Sequence, residues 1–112
     1  EDDRMTTFKC ARTEDNLQGI QNITQKEGIS ALLVIFPTLY KLNDYPFTAV
    51  HEYVKINAQK QGFYVLDLFP YFEGLDEREL WVDAFEDRHA NKKANLIAAK
   101  AIYDDLMKKG LV

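Results

Sequence analysis

Two short apolar runs dominate the hydrophobic pattern of this chain. They occupy residues 30–36 and 63–69, and a proline follows each of them. Neither run alternates between apolar and polar residues, and both contain branched or aromatic side chains, a pattern typical of strands buried on both faces. The segment between them has helical spacing. We therefore predict a strand–helix–strand unit with two parallel strands.

Helical spacing predicts three helices around these strands. The clearest runs from about Asn91 to Lys109, where Gly110 ends it. The middle helix follows Pro46, because proline suits the first turn of a helix. Its predicted inner stripe consists of Phe47, Val50, Val54 and Ala58.

The amino-terminal segment predicts a further helix with a short leader. Residues 1–12 show no clear period and are predicted to be a loose leader. Thr13 is the predicted N-cap of a helix over about residues 13–27, and Gly28 is its predicted stop.

Two strands alone leave the predicted sheet incomplete. A parallel strand buried on both faces needs a neighbour on each side and helices above and below. Either a third strand lies in residues 5–10 or 80–85, or the neighbouring strands lie outside this sequence, which is the alternative we favour. We expect one α/β module over residues 1–112, with two to three strands and three helices.

Composition excludes several classes of protein. The net charge is −4 and no basic face is visible, so we expect no nucleic-acid partner. No apolar run approaches the ~18–20 residues needed to cross a bilayer. Cys10 is the single cysteine, so neither an internal disulfide nor a cysteine-based metal site is expected. A lone thiol fits a reducing compartment without establishing one.

An acidic segment leads to the clearest candidate for chemistry. Residues 71–89 are predicted to form a long loop that ends in Glu86, Asp87, Arg88 and His89. A carboxylate two or three residues before a histidine can hold one imidazole nitrogen and leave the other as a general base. The alternative is that His89 is a solvated residue and Asp87 a helix cap.

The stretch from Leu32 to Val112 resembles the carboxyl-terminal part of the SGNH (GDSL-type) hydrolases. The resemblance rests on Leu-Leu-Val-Ile-Phe-Pro at 32–37, Val-Leu-Asp-Leu at 65–68, the Asp-Arg-His-Ala-Asn block at 87–91 and the alanine-rich helix that follows. It implies a three-layer αβα, flavodoxin-like fold, and hydrolysis of acyl esters of small molecules, carbohydrates or lipids. It assigns the base to His89.

The same resemblance leaves the acidic partner open and shows two departures. Asp87 lies two residues before His89 and is the partner we favour, whereas the spacing of three residues points to Glu86. Ala90 stands where proline is usual. The serine, glycine and asparagine blocks of the family are absent, and the single serine, Ser30, opens a predicted strand without a Gly-Asp-Ser motif.

Two hypotheses for the function of the whole chain follow. In the first, residues 1–112 contribute the base and acid of an ester hydrolase, need no cofactor or metal, and are inactive alone because the nucleophilic serine is absent. In the second, they form a non-catalytic α/β module for binding or for self-association through its sheet edges.

Four other residues carry specific expectations. His51 is predicted at the boundary or surface of the middle helix, and Asp67 is predicted to make a structural hydrogen bond near the sheet end, since a carboxylate in a buried strand requires a partner. Trp81 and Phe85 are predicted to anchor the acidic loop to the core.

Overall fold

The chain folds into a mixed α/β protein, seen in a computed structural model that describes the backbone of residues 3–112 and the side chains of residues 12–112. This part contains four helices, a two-stranded parallel sheet and a two-stranded antiparallel hairpin. The elements in chain order are α1 (Asp3–Lys26), β1 (Leu32–Ile35), α2 (Thr48–Lys60), β2 (Tyr64–Asp67), α3 (Phe69–Phe72), a 3-10 turn (Glu77–Glu79), β3 (Trp81–Asp83), β4 (Asp87–Ala90) and α4 (Lys92–Lys108).

The predicted parallel pair is confirmed. β1 and β2 pair in register from Leu32 opposite Tyr64 to Ile35 opposite Asp67. The strands are half-buried rather than buried on both faces as predicted, and Tyr64 is 43 % exposed. The reason is that, within the described residues, no third strand joins this sheet.

The hydrogen bonds of the parallel pair show which backbone groups face outward. The N–H of Tyr64 donates to the carbonyl of Ala31, and the N–H of Leu68 donates to the carbonyl of Ile35. Because backbone groups alternate in direction along a strand, those of Val65 face away from β1. By the same alternation, residues 32 and 34 of β1 turn their backbone groups away from β2.

The two outer edges of this sheet differ. On the β2 side, the Lys109 ammonium donates to the outward carbonyl of Val65 at 3.3 Å and also contacts Asp105 at 2.5 Å. On the β1 side, no hydrogen bond within the described part of the chain reaches the outward groups of Leu32 and Val34. One edge is therefore covered by a charged side chain and the other is open.

Apolar side chains pack on both faces of the parallel pair. On one face, Leu66 lies in a cluster with Phe72 and with the alanine stripe of α4. On the other, Val65 packs against Leu17 of α1, Ala58 of α2 and Phe63. The buried members of the first and larger cluster are Leu39, Leu42, Leu66, Leu68, Phe72, Leu80, Ala94, Ala98 and Ala101.

The amino-terminal prediction is wrong in its boundaries. α1 begins at Asp3, so Thr13 lies inside the helix and the predicted leader is helical over residues 3–12. A strand at residues 5–10 is excluded for the same reason. The first two residues of the leader and the Cys10 side chain lie outside the described part of the chain. Gly28 follows the end of α1 with a positive φ of 68°, as expected of a helix stop.

The middle helix is confirmed, but its buried face is displaced from the predicted stripe. Ala58 is buried as expected, whereas Val50 is 54 % exposed and Phe47 is 36 % exposed. His51 lies on the buried side in place of Val50 and is only 6 % exposed. The chain turns into β2 at Gly62, where φ is +90° and a Cβ atom would lie 2.8 Å from the Gln21 amide nitrogen.

The predicted long acidic loop is wrong, because most of this segment is regular structure. α3, which adds a fourth helix to the predicted three, and the 3-10 turn are followed by the β3–β4 hairpin. In the hairpin, Trp81 lies opposite Ala90 and Asp83 opposite Asp87, with an irregularity between the two pairs. The candidate strand at residues 80–85 therefore exists, but it pairs with β4 and not with the parallel sheet.

Candidate functional site

His89 and Asp87 lie on β4 and contact each other directly. The Nδ1 atom of His89 is 2.5 Å from Oδ1 of Asp87. The same carboxylate oxygen accepts the backbone N–H of His89 at 3.0 Å. Residues two apart on a strand point to the same side, so this contact follows from local geometry.

The contact fixes the arrangement of the imidazole. A carboxylate accepts hydrogen bonds, so Nδ1 of the neutral His89 ring carries the proton and Nε2 keeps its lone pair. The His89 side chain is 92 % exposed, and this second nitrogen faces solvent. The arrangement is that of a base held by an acid, with its accepting atom free to take a proton from a hydroxyl.

The two candidate acids differ in what they contact. Within the described residues, no hydrogen bond joins the Glu86 side chain to His89. The backbone N–H of Glu86 instead donates to Asp83 at 3.1 Å, which closes the turn of the hairpin. The geometry therefore favours Asp87 over Glu86 as the orienting acid.

The environment of Asp87 predicts a measurable titration. The backbone N–H of His89, and then its ring, donate to the Asp87 carboxylate and hold its pKa below the usual value. The folded pKa is thus below the unfolded pKa. This interaction accordingly favours the folded state above the unfolded pKa and is lost as the pH falls through the folded pKa.

We expect the Asp87 carboxyl carbon, followed by NMR, to titrate at a lower pH than an unperturbed aspartate. In His89→Ala the midpoint should rise part of the way, since the backbone N–H remains and the ring is lost. A midpoint in the native chain at or above the ordinary value of 3.8 would contradict the contact.

Asn91 fixes the base of the hairpin against α4. Its side-chain oxygen accepts the N–H of Ala94 and caps the helix at 3.0 Å. Its amide group donates to the carbonyls of Glu79 at 2.8 Å and Trp81 at 3.1 Å. The asparagine of the histidine block therefore joins three segments and holds β4 at the entrance of α4.

Trp81 anchors the hairpin to the loop after β1, as predicted. Its Nε1–H donates to the carbonyl of Leu39 at 2.9 Å, and the Arg88 guanidinium lies 4.6 Å from the ring centre. Phe85 does not share this role, since its side chain is 96 % exposed at the tip of the hairpin. The predicted anchoring is wrong for Phe85.

A second histidine lies in a polar group that the sequence did not reveal. His51 is buried, which contradicts its predicted surface position; its Nδ1 lies 2.9 Å from Asp67 Oδ1, and its Nε2 lies 2.9 Å from the Tyr45 hydroxyl. The predicted structural hydrogen bond of Asp67 is confirmed by this contact. The available signal was Asp67 itself, since a carboxylate in a buried strand requires a partner.

Ser30 lies at the opposite end of the parallel strands from these groups. It is exposed and precedes the first residue of β1, Leu32. Asp67, by contrast, ends β2. Sites in open α/β sheets form beyond the carboxyl ends of the strands. The position of Ser30 therefore does not suit a nucleophile that acts with a base at that end.

A cleft of about 270 Å³ lies beside the 3-10 turn, away from the His89 side chain. Its lining residues are Asn43, Gly74, Leu75, Asp76, Glu77 and Arg78. Asp76 and Arg78 form an exposed ion pair at 3.0 Å beside this cleft. Within residues 12–112, no three side chains of the histidine, cysteine, aspartate or glutamate types cluster as a metal site.

Comparisons of the chain with models of known families, with curated proteins and with solved structures found no match. None of the described helices has the length and apolar character needed to span a membrane. Its secondary structure defines it as a mixed α/β protein with a small parallel sheet. A separate antiparallel hairpin carries the histidine–aspartate pair.

Proposed function

We propose that this chain is the carboxyl-terminal part of an SGNH (GDSL-type) hydrolase that acts on acyl esters. In this proposal His89 is the general base and Asp87 is the acid that orients it. The observation that carries the proposal is the 2.5 Å contact between Nδ1 of His89 and Asp87, with the other ring nitrogen open to solvent.

The chemistry requires a serine from polypeptide outside these 112 residues, because Ser30 does not suit the role. Nε2 of His89 takes the proton of that serine as its oxygen attacks the ester carbonyl, and the resulting imidazolium then protonates the departing alkoxide. A water molecule completes the second half-reaction by the same route and releases the acid. Asp87 stabilises the imidazolium in both steps. The substrate class is an acyl ester of a small molecule, a carbohydrate or a lipid.

The architecture supports this proposal in two ways. Helices pack on both faces of the parallel pair, as the three-layer αβα, flavodoxin-like fold requires. Within the described residues, the outward backbone groups of Leu32 and Val34 on β1 have no hydrogen-bond partner, and further parallel strands of such a sheet would pair there. The completed sheet would bury the half-exposed strands.

An ester hydrolysis assay on residues 1–112 alone tests whether the serine nucleophile lies outside them. We expect this chain to hydrolyse p-nitrophenyl acetate no faster than an equal concentration of free imidazole and without saturation, because the described site offers an exposed imidazole but no serine nucleophile beside it. Saturable turnover by this chain that disappears in His89→Ala would contradict the proposal. The coding sequence adjacent to these residues gives the second test: a Gly-Asp-Ser block supports the hydrolase, and its absence from the whole protein refutes it.

The open edge of β1 also favours a second candidate function, a non-catalytic module that associates with its own kind. Light scattering on the whole protein separates the two candidates. A stable dimer that hydrolyses no ester would support the self-association module, whereas a monomer with esterase activity would support the hydrolase.

A further inference from the structure

Tyr45, His51 and Asp67, here called the buried histidine network, satisfy one another's hydrogen bonds when the His51 ring is neutral. The Tyr45 oxygen accepts the backbone N–H of Thr38 at 2.9 Å. Its hydroxyl proton is then free to be donated to Nε2 of His51. Nδ1–H of His51 donates to the Asp67 carboxylate, whose oxygen accepts it.

The opposite tautomer of the neutral ring does not fit. With the proton on Nε2, the lone pair of Nδ1 in His51 would face the carboxylate oxygen of Asp67 at 2.9 Å. Two acceptors at that distance repel each other, and the repulsion is costly because His51 is only 6 % exposed. The network therefore holds His51 in one tautomer and one orientation.

The network joins three separate segments of the fold. Asp67 ends β2 and also accepts the backbone N–H of Phe69 at 2.9 Å. The Tyr45 ring stacks on the Phe69 ring with centroids 4.4 Å apart, and His51 of α2 meets both rings edge-on. The loop after β1 is thus fixed to α2 and to the carboxyl end of β2 by polar and aromatic contacts together.

The loop after β1 also forms the hydrogen bond that holds the β3–β4 hairpin. Leu39, one residue after Thr38, supplies the carbonyl that accepts Nε1–H of Trp81. Further along the loop, Leu42 is fully buried, and its backbone N–H donates to the Glu77 carboxylate at 2.9 Å. Hydrogen bonds therefore run from the buried histidine network through residues 38–45 to the hairpin.

We infer that the buried histidine network positions the hairpin that carries His89 over the carboxyl end of the parallel sheet. His51 is a positioning residue in this inference, and it acts through the loop of residues 38–45 and through Trp81. The catalytic meaning of the inference rests on the proposed hydrolase function. The structural coupling itself stands independently of that function.

Trp81 is the single tryptophan of the chain, so it reports on this coupling directly. Tyr45→Phe removes the hydroxyl that links Thr38 to His51 and keeps the ring that stacks on Phe69. We expect the indole N–H resonance of Trp81 to shift and its exchange with deuterated water to accelerate about tenfold at a temperature where the variant is fully folded. His51→Phe should cause the same change.

Tyr71→Phe is the matched control, because the Tyr71 side chain is half-exposed and lies outside the network. It should leave the Trp81 signal unchanged. An unchanged Trp81 signal in folded Tyr45→Phe would overturn the inference, even if the variant melts at a lower temperature. If His51→Phe does not fold, Tyr45→Phe decides alone. The readout needs no ester hydrolysis, so its outcome is separate from that of the proposed function.

Discussion

His89→Ala is expected to lower kcat for ester hydrolysis by about 10,000-fold or more in the protein that joins these residues to the nucleophilic serine. The reason is that the exposed Nε2 of His89 is the acceptor for the serine proton, and loss of the base from a serine triad costs on the order of 10,000-fold or more. KM should change little, since the imidazole does not hold the ground-state substrate. Steady-state kinetics on a p-nitrophenyl ester measures both constants.

Three companion variants decide which acid serves the base. Asp87→Asn should lower kcat by a factor on the order of 10,000, because an amide no longer enforces the Nδ1–H tautomer of His89. Glu86→Gln removes the alternative acid and should leave kcat nearly unchanged. Asp104→Asn, an exposed change on α4, controls for the loss of one negative charge. A large loss in Glu86→Gln with none in Asp87→Asn would reverse the assignment, and full activity in His89→Ala would end the hydrolase proposal.

Phe72→Ala is expected to have the largest effect on stability, a loss of about 3–5 kcal/mol in the free energy of unfolding. The Phe72 side chain is fully buried in the larger cluster, and its ring centre lies 5.5 Å from that of Phe36. The variant loses the transfer free energy of the ring and leaves a cavity between α3, the sheet and α4. Urea denaturation followed by circular dichroism measures the loss.

Tyr71→Ala is the control for this measurement. Tyr71 precedes Phe72 on α3 and is half-exposed, so truncation should cost no more than about 1 kcal/mol. Comparing the two variants separates the loss of the buried ring from any effect of an alanine substitution on the stability of α3 itself. Equal losses in the two variants would contradict the packing of α3 described above.

The sequence predicted the elements that local signals define. The parallel strands follow from two apolar runs with proline after each. α4 follows from the helical spacing of the alanine-rich segment that starts at about Asn91, with Gly110 beyond its end. In the structure Asn91 caps this helix, and Ala94, Ala98 and Ala101 form its buried stripe. Each signal lies within a few residues of the element it predicts, so no knowledge of the tertiary fold was needed.

The missed elements depend on contacts between distant residues. The strands of the hairpin are three and four residues long and carry charged side chains, so their pattern resembles that of a loop. They are held by the bond from Trp81 to Leu39, which lies 42 residues earlier. The early part of α1 was missed because residues 3–12 have no helical period of apolar residues.

The candidate site likewise contains one contact between residues close in sequence and one group of contacts between distant residues. The pair of His89 and Asp87 could be predicted because the two residues are only two positions apart in sequence, although the strand that carries them was not predicted. The partners of His51 lie 6 and 16 residues away in sequence, at Tyr45 and Asp67, and only the strand–helix–strand crossover brings them together. The face of α2 that is buried is likewise set by the sheet, not by the helix alone.

The contact between Lys109 and the Val65 carbonyl limits how this sheet can grow. With the ammonium group on the Val65 carbonyl, a strand that paired beside β2 would have to displace this contact. Within the described residues, the outward groups of Leu32 and Val34 on β1 meet no such obstacle, so two copies that paired β1 with β1 would satisfy these groups in both chains. Growth of the parallel sheet beyond that pair would require Lys109 to leave β2.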